Sequence, residues 1–389
     1  MNILYDDNMP YAHDCFSLLG DARPYNAKTL APHSLADVDA LVCRSTLTVN
    51  SDLLRHATRL KMVATATAGF NHLDTHYLQT AGISWYSAAG CNAVAVAEFV
   101  ISALLSLNKD ADDPVTALQT LTVAIVGAGN VGTALSKKLD ALKVSYHLCD
   151  PPLAELGDER DLVSLESALA ADVICLHVPL IQEGKHSTKG LISHKALQQL
   201  TEKQVVINAC RGGVLDEKAY LAMAKHRTMP RLILDAWCDE PVVNDTIFAS
   251  AQLATPHIAG HSLEGKARGS FMVYEWLTQL MEKNIQIHLK DVLPVLPTIT
   301  LTESQMLDPQ LIPSLIFTLY DIHRDDRHFR QLMAHSDNVQ DTFMLFRANY
   351  PVRREFSAQR LNIPQSMQHS EVARMLENLE FSLGISKTN

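Results

Sequence analysis

Short apolar runs alternate with segments of helical periodicity along most of the chain. Runs typical of buried strands lie, before residue 93, at residues 2–5, 40–43 and 61–65. They resume at residues 121–126, 143–149, 172–177, 204–208, 231–235 and 252–256. Because helical patterns separate the strands, the chain predicts an α/β fold with parallel sheets. In such sheets ligands bind beyond the carboxyl ends of the strands.

Two long helices mark the predicted domain boundaries. Residues 92–108 form a mostly apolar helix, which predicts burial, here between two domains. Residues 263–283 form a second helix that follows the last strand and could return to the first unit. The pattern therefore predicts one domain of residues 1–92 and 258–290 and another of residues 93–257.

Beyond residue 291 the character of the chain changes. Pro294, Pro297 and alternating threonines predict a linker and a strand. Helices are predicted at residues 310–321, 338–349 and 370–376, and strands near 354–358 and 380–383. This tail, residues 291–389, has the size of a small domain and carries no catalytic motif, so we expect an oligomerisation module.

The stretch LTVAIVGAGNVG, residues 121–132, carries the first chemical signal. Its strand stops at Gly127, Gly129 and Gly132, and a helix over residues 131–142 follows. The first glycine allows a tight turn, the second lets backbone approach a pyrophosphate, and the third lets the helix pack on the strand. Asp150 ends the next strand, where a carboxylate would bind ribose hydroxyls and repel a 2′-phosphate. The pattern predicts an NAD site; the alternative is a chance glycine turn with a surface aspartate.

Composition and net charge limit the classes of molecule that we expect this chain to bind. The chain has 389 residues and a net charge of −10, which disfavours nonspecific binding to nucleic acid or to anionic membranes. No apolar stretch is long enough to span a membrane, and the N-terminal sequence lacks the features of a signal peptide. The 7 cysteines form no C-x-x-C pair, so we expect buried free thiols, a cytoplasmic compartment and no metal site.

Three polar residues follow later strands of the second predicted sheet. Arg211 follows the strand at residues 204–208, where a guanidinium could bind a substrate carboxylate through two hydrogen bonds. His257 could exchange the proton of a hydroxyl group, and Glu240 could orient its ring and favour the protonated form. Each residue also has a simpler interpretation. Arg211 could be a surface arginine, His257 could be one of 17 histidines without a catalytic role, and Glu240 could be an ordinary acid in a loop. Together they fit the oxidation of a 2-hydroxy acid by NAD.

The sequence resembles the D-2-hydroxyacid dehydrogenase family. The resemblance rests on GAGNVG at residues 127–132, NACRG at residues 208–212 and PHIAG at residues 256–260. It implies two Rossmann-like, doubly wound parallel-sheet domains, of which the substrate domain is flavodoxin-like, with the active site in the cleft. It also implies that Arg211 and Glu240 are catalytic and that His257 is the proton donor.

Within the family, the chain is most similar to members that act on a phosphorylated four-carbon 2-hydroxy acid in the pathway to pyridoxal 5′-phosphate. In those members a small C-terminal α+β domain mediates homodimer formation, which agrees with our expectation for residues 291–389. The resemblance adds further NAD-binding residues: Asn130, Val131, Val178, Asp235 and Gly260. It also adds three substrate-binding residues: Ser45, Thr67 and His261.

Two of these residues depart from the family pattern. Val178 stands where the family often has threonine, which matters little if the contact runs through the backbone. His261 stands where tyrosine is usual, and an imidazole could still contact a phosphate. Two other functions stay open: a dehydrogenase of 3-phosphoglycerate or glycerate, and an NAD-sensing scaffold like the corepressors that share this fold.

Overall fold

The computed structural model describes residues 1–386 and divides into two compact units. The first unit combines Met1–Ala93 with His261–Pro294. The second unit combines Val94–Gly260 with the chain from Val295 onward. Each unit is built on a parallel sheet of its own.

The first sheet has five parallel strands. In chain order this part contains β1 (Asn2–Asp6), α1 (Ala12–Phe16), β2 (Asp21–Tyr25), β3 (Ala40–Cys43), α2 (Ser51–Leu54), β4 (Met62–Thr65), α3 (Thr75–Thr80) and β5 (Ser84–Ser87). The strand order β2-β1-β3-β4-β5 is the flavodoxin-like order of doubly wound sheets. The three strands predicted here are confirmed, and β2 and β5 lie outside the predicted runs.

The second sheet has six parallel strands. The elements of this part are α4 (Ala93–Ser106), α5 (Pro114–Gln119), β6 (Thr122–Val126), α6 (Asn130–Ala141), β7 (Ser145–Cys149), α7 (Pro151–Glu155), α8 (Leu165–Ala168), β8 (Val173–Leu176), α9 (His194–Gln199), β9 (Val205–Asn208), α10 (Glu217–Ala224), β10 (Arg231–Leu234), α11 (Asp245–Ser250) and β11 (Ala251–Ala254). The order β11-β10-β9-β8-β6-β7 places the switch point at β6, the strand before the glycines. All six strands predicted in this region are confirmed.

The chain then returns to the first sheet through α12 (Leu263–Leu280) and α13 (Leu289–Val292). α12 packs against α1, β4 and β5. A Cβ at Gly269 would lie 2.2 Å from the carbonyl oxygen of Ala66, so only glycine lets the helix approach the end of β4 this closely. The helix predicted at residues 263–283 is thereby confirmed.

The tail has a small three-stranded parallel sheet surrounded by helices. Its elements are β12 (Ile299–Thr300), α14 (Glu303–Met306), α15 (Leu311–Leu319), α16 (Ile322–Ala334), α17 (Val339–Ala348), β13 (Arg360–Ile363), α18 (Glu371–Asn378) and β14 (Ser382–Ile385). Its core is continuous with that of the second sheet, since Leu361 and Leu376 share one apolar cluster with Val123 and Leu139. The predicted fold class, two doubly wound parallel-sheet α/β domains plus a small C-terminal α+β domain, is confirmed.

The strand predicted near residues 354–358 is wrong. Phe356–Ala358 form a 3-10 turn, and β13 begins only at Arg360. The N–H of Phe356 donates to Oε1 of Glu98 at 2.9 Å, and its ring stacks on Phe381 with centroids 5.4 Å apart. The backbone at Phe356 is therefore bonded to a buried side chain and does not join a sheet.

The cysteines differ in one case from the sequence-based expectation. All 7 are free thiols, and six of them are buried, as expected. Cys238 is exposed instead, because it lies in the loop after β10 and not within a strand. No helix within residues 1–386 combines the length and the apolar character needed to cross a membrane.

A buried lysine joins the second sheet to the tail. Lys138 of α6 is only 2% exposed. Its Nζ donates to the carbonyl oxygen of Leu379 at 2.7 Å and to Glu380 at 2.6 Å, and lies 3.5 Å from Glu98. Burial raises the pKa of Glu98 above its ordinary value, and the charge of Lys138 opposes that rise. The ammonium thus compensates a carboxyl group that α4 buries completely.

We expect Lys138→Met to lower the free energy of unfolding by about 3 kcal/mol or more, because it leaves buried acceptors without their cation. Lys143→Met is the matched control, since Lys143 also pairs with the tail, at Glu371, but on the exposed surface. We expect that change to cost about 0.5 kcal/mol or less. Urea unfolding of both variants measures the difference, and equal losses would contradict a structural role for the buried pair.

Candidate active site

Three glycines, of which Gly127 and Gly129 lie between β6 and α6 and Gly132 lies in the first turn of α6, meet three different constraints. Gly127 has a φ of +102°, and a Cβ there would lie 2.5 Å from the carbonyl oxygen of His177. A Cβ at Gly132 would lie 2.2 Å from the carbonyl oxygen of Gly127. A Cβ at Gly129 would meet no atom within 4 Å, so this residue faces open space directly before α6. The loop leaves room for a pyrophosphate beside the N–H groups of the helix, as NAD binding requires.

Asp150 lies directly against this glycine loop. Its Oδ2 accepts the N–H of Ala128 at 2.9 Å, and its Oδ1 caps α7 by accepting the N–H of Leu153 at 3.2 Å. A carboxylate oxygen can accept more than one hydrogen bond, so both oxygens keep capacity for ribose hydroxyls. The acid beside the loop fits the adenosine end of NAD.

His177, directly after β8, is a residue of this loop region that the motifs do not single out. Both of its ring nitrogens are buried, and neither has a hydrogen-bond partner within the part of the chain that the structure describes. Burial lowers the pKa of His177 to about 3, so the ring is neutral. Unsatisfied buried polar atoms beside a glycine loop are consistent with a place for a polar ligand group. The available signal was a polar residue at the carboxyl end of a buried strand.

The Arg211 loop is organised by the last residue of β9. The side chain of Asn208 accepts the N–H of Cys210 at 3.3 Å and donates to the carbonyl oxygen of Arg211 at 3.0 Å. The guanidinium is half-buried, and its Nη1 donates to the carbonyl oxygen of Cys210 at 2.7 Å. Nε and Nη2 make no hydrogen bond to any described residue, so they are available to an anionic ligand.

Gly212 brings the Arg211 loop against the loop that follows β10. A Cβ at position 212 would lie 1.7 Å from the carbonyl oxygen of Trp237, so no other residue permits this contact. Trp237 is fixed in turn, because its Nε1 donates to the carbonyl oxygen of Thr255 at 2.9 Å. The two loops that carry Arg211 and Glu240 are therefore packed together.

His257 and Glu240 form a hydrogen-bonded pair. Nδ1 of His257 lies 2.6 Å from Oε1 of Glu240, while the N–H of Trp237 donates to Oε2 at 3.3 Å. Burial raises the pKa of Glu240, but the hydrogen bond and charge of His257, the N–H of Trp237 and the charge of Arg347 together outweigh it, so the net pKa is lowered. Glu240 is thus an ionised acceptor that holds the proton on Nδ1, which leaves Nε2 of His257 for a substrate.

The backbone at His257 is left-handed, with a φ of +55°. The carbonyl oxygen of Asp235 accepts the N–H of His257 at 2.7 Å. The carboxylate of Asp235 accepts the N–H groups of Ile258 and Ala259 at 2.7 and 3.0 Å, and the hydroxyl of Thr255 at 2.7 Å. Burial raises the pKa of Asp235, and these donors oppose that rise. Asp235 therefore fixes the turn that orients the imidazole of His257.

Glu217, in α10, supports the loop that carries Trp237 and Glu240. Its Oε1 accepts the N–H of Cys238 at 2.9 Å, between Trp237 and Glu240. Burial raises the pKa of Glu217 to about 7; the Cys238 N–H opposes this shift, and the charges of Asp239 and Glu240 add to it. The motifs did not single out Glu217, whose only local signal is an acid in the first turn of α10.

The predicted substrate-binding residues belong to the first unit. Ser45 follows β3 and is exposed, and Thr67 follows the adjacent strand β4. The hydroxyl of Thr67 donates to the carbonyl oxygen of Gly69 at 3.0 Å and lies 2.7 Å from that of Thr65. His261 is half-buried before α12. The structure thus places Arg211, Glu240 and His257 in the second unit and the predicted substrate-binding residues in the first.

The raised pKa of Glu217 predicts a pH dependence of stability. A carboxyl group with a higher pKa in the folded chain stabilises the fold fully below its unfolded value of 4.5, and loses that contribution as the pH rises through about 7. Glu217→Gln keeps the acceptor but cannot ionise. Between about pH 5 and pH 8 we expect the stability of the wild type relative to Glu217→Gln to fall by about 2 kcal/mol.

Urea unfolding of both proteins at the two pH values measures this change. Glu202→Gln, at an exposed position, is the control and should follow the wild type at both pH values. A constant difference between the wild type and Glu217→Gln would show that Glu217 does not titrate in this range.

Comparison with known proteins agrees with this geometry. Residues 99–259 match the family model of the D-isomer specific 2-hydroxyacid dehydrogenase NAD binding domain, and residues 292–378 match a domain of unknown function. An erythronate-4-phosphate dehydrogenase of Pseudoalteromonas atlantica is 43% identical, over 93% of this chain and 95% of the relative. One of Colwellia psychrerythraea is 41% identical, over 97% of this chain and 99% of the relative.

Solved structures share the fold at lower identity. D-lactate dehydrogenase from Aquifex aeolicus, complexed with NAD and lactic acid, aligns with a TM-score of 0.56 at 20% identity, covering 72% of this chain and 96% of that chain. The NAD-dependent formate dehydrogenase from Staphylococcus aureus, in complex with NAD, gives 0.57 at 20% identity, over 74% of this chain and 97% of that chain. Because its relatives match it along nearly its whole length, the chain belongs to the erythronate-4-phosphate dehydrogenases, NAD-dependent enzymes within the D-isomer-specific 2-hydroxyacid dehydrogenase family.

Proposed function

We propose that this enzyme oxidises 4-phospho-D-erythronate to 2-oxo-3-hydroxy-4-phosphobutanoate with NAD, in the cytoplasm, as a step toward pyridoxal 5′-phosphate. The names of the relatives supply the substrate. The 2.6 Å hydrogen bond between His257 and Glu240, beside the packed Arg211 loop, is the observation that carries the proposal. It is the arrangement that removal of a proton from a hydroxyl group requires.

His257 takes the proton of the C2 hydroxyl at Nε2, because Nδ1 is bonded to Glu240. The imidazole becomes positively charged as it does so, and the ionised Glu240 stabilises that charge. Bound NAD supplies the acceptor for the hydride that leaves C2. In the reverse direction the imidazolium of His257 returns the proton to the oxygen.

Arg211 binds the carboxylate of the substrate in this proposal. Nε and Nη2 carry no other hydrogen bond, and they form the planar fork that matches two carboxylate oxygens. The same positive charge stabilises the oxygen at C2 as it becomes a carbonyl. The hydrogen bond from Nη1 to the carbonyl oxygen of Cys210 limits rotation of this fork.

We also propose the roles of the remaining positions. By the resemblance, the substrate is bound by Ser45, Thr67 and His261, which all belong to the first unit. NAD is bound by Gly127, Gly129, Asn130, Val131, Gly132, Asp150, Val178, Asp235 and Gly260. A Cβ at Gly127 would lie 3.0 Å from Cγ1 of Val178, so the side chain of Val178 already fills space beside the loop. We propose that Val178 contacts NAD through its backbone, so that the absence of the usual threonine hydroxyl matters little.

We propose that the tail forms a homodimer. α17 exposes Met344 and Leu345, which are 47% and 59% accessible, and Val352 nearby is 76% accessible. A contiguous patch of exposed apolar side chains is typical of an interface, and we propose that these three side chains contribute to such a patch. The tail of a second copy is the partner that the resemblance implies.

The substrate assignment is tested by comparing 4-phospho-D-erythronate with 3-phosphoglycerate and glycerate. We expect kcat/KM for the first to exceed the others by about 100-fold or more, because a site built for a given hydroxyl and phosphate discriminates strongly. The assay contains an added 2-oxo acid, so that a cofactor that stays bound is still reoxidised. Faster turnover of 3-phosphoglycerate would reject the substrate, and absence of any consumption of a 2-hydroxy acid would favour the scaffold function.

His257→Gln is the control for the chemistry in that assay. It should lower kcat by about 10²- to 10⁴-fold while NAD still binds, since the glycine loop and Asp150 are unchanged. Turnover close to that of the wild type would reject the proton-transfer role.

Sedimentation velocity tests the dimer. We expect the wild type to sediment as a dimer and Leu345→Glu to shift it to monomer, because a carboxylate would be buried without a partner in the interface. Leu156→Glu changes a leucine that is 82% accessible outside the tail, and should leave the dimer intact. A monomeric wild type would contradict the proposal.

A further inference from the structure

The tail contacts the strand that leads to His257. Within residues 1–386, β11 is the last strand of its sheet, so its outer N–H and C=O groups have no neighbouring strand there. Asp326 of α16 accepts the N–H of Ala254 at 2.8 Å, and Arg330 donates to the carbonyl oxygen of Ala251 at 2.7 Å. The two side chains are joined at 2.8 Å. An ion pair of the tail therefore takes the place of the missing strand.

Arg353, further along the tail, reaches the turn itself. It is 3% exposed, and its Nη1 donates to the carbonyl oxygen of Ala259 at 2.9 Å. Its Nη2 donates to the carbonyl oxygen of Ala95 in α4 at 2.6 Å. The guanidinium lies over the ring of Tyr320, 3.8 Å from its centroid. One planar group thus joins the turn after His257 to a buried helix.

The turn at residues 257–259 is consequently held from both sides. Asp235 accepts its N–H groups, and Arg353 donates to its last carbonyl oxygen. A left-handed backbone at a residue other than glycine persists only where its surroundings determine it strongly. If the bond from Arg353 is lost, only Asp235 holds the turn, and the direction of the imidazole toward Glu240 is less defined.

We propose that Arg353 is a positioning residue for the proton transfer, so that the tail supports catalysis within its own chain in addition to any role in assembly. The catalytic part of this inference rests on the proposed function of His257. The contacts themselves do not depend on which substrate is used. Lysine cannot replace Arg353 fully, since a single ammonium does not offer a planar fork to two carbonyl oxygens on separate elements.

The first test measures the turn without any substrate. Hydrogen exchange followed by mass spectrometry reports on the amides of Ile258 and Ala259, which are bonded to Asp235. We expect exchange of this segment to be about tenfold faster or more in Arg353→Met and Arg353→Lys than in the wild type. Gln310→Met is the matched control, because it removes two other tail bonds, to the carbonyl oxygens of Ala111 and Asp112, away from this turn.

The second test measures kcat and KM. The enzyme concentration is taken as the concentration of NAD-binding sites, so that unfolded molecules are not included in kcat. We expect Arg353→Met to lower kcat by about 10- to 100-fold with KM for the hydroxy acid changed less than about threefold, since the proton acceptor is misaligned but Arg211 is intact. Arg353→Lys should lie between Arg353→Met and the wild type, and Gln310→Met should match the wild type. If Arg353→Met does not fold, Arg353→Lys decides both tests.

Each outcome bears on a different statement. Unchanged exchange at residues 257–259 in the Arg353 variants would overturn the inference whatever the activity. Faster exchange with unchanged kcat would show that the turn is held but that its position does not limit catalysis, which also overturns the positioning role. A wild type without activity on any 2-hydroxy acid, with faster exchange in the variants, would reject the proposed function and leave the contact of Arg353 with the turn established.

Discussion

The carboxylate of Asp235 is the constraint on which the catalytic segment depends. It stands at the end of β10, is almost completely buried, and accepts three hydrogen bonds from residues 255–259. Hydrogen bonds to a charged group contribute about 1.5–3 kcal/mol each, whereas a left-handed residue such as His257 costs about 1–3 kcal/mol. The three bonds together therefore exceed the strain at His257, although burial still raises the pKa of Asp235. The position of His257 follows from a buried acid that does not take part in proton transfer.

Most of the two large sheets could be predicted from the sequence, because their central strands are buried on both faces and appear as continuous apolar runs. β2 could not, since it is an edge strand with the sequence DARPY and mostly accessible side chains. α16 could not either. Its buried positions include Asp325 and Asp326 beside Ile322 and Phe329, so the face that contacts the protein does not look apolar. Asp326 is buried there because it pairs with the backbone of β11.

The residues of the candidate site also divide into those that could be predicted from the sequence and those that could not. The glycines, Asp150, Arg211, Glu240 and His257 could be proposed because each follows a predicted strand. Glu217 and Arg353 could not, because their roles come from contacts between distant segments: Arg353 and Ala259 are 94 positions apart. No local pattern distinguishes such an arginine from one on the surface. Only the fold, which buries it against Tyr320, reveals its acceptors.

The contacts between the tail and the second sheet have a common chemistry. Lys138 and Arg353 are buried cations that donate to backbone carbonyl oxygens, at Leu379 for the first and at Ala95 and Ala259 for the second. Buried ions add little net stability, because desolvation offsets their attraction, but their geometry is demanding. An apolar cluster alone, like the one that contains Leu361 and Leu139, would tolerate small shifts of one element along another. Cations bonded to fixed carbonyl oxygens do not tolerate such shifts, so they fix the position of the tail against the second sheet. The bond from Arg353 to Ala259 in turn fixes the turn at His257.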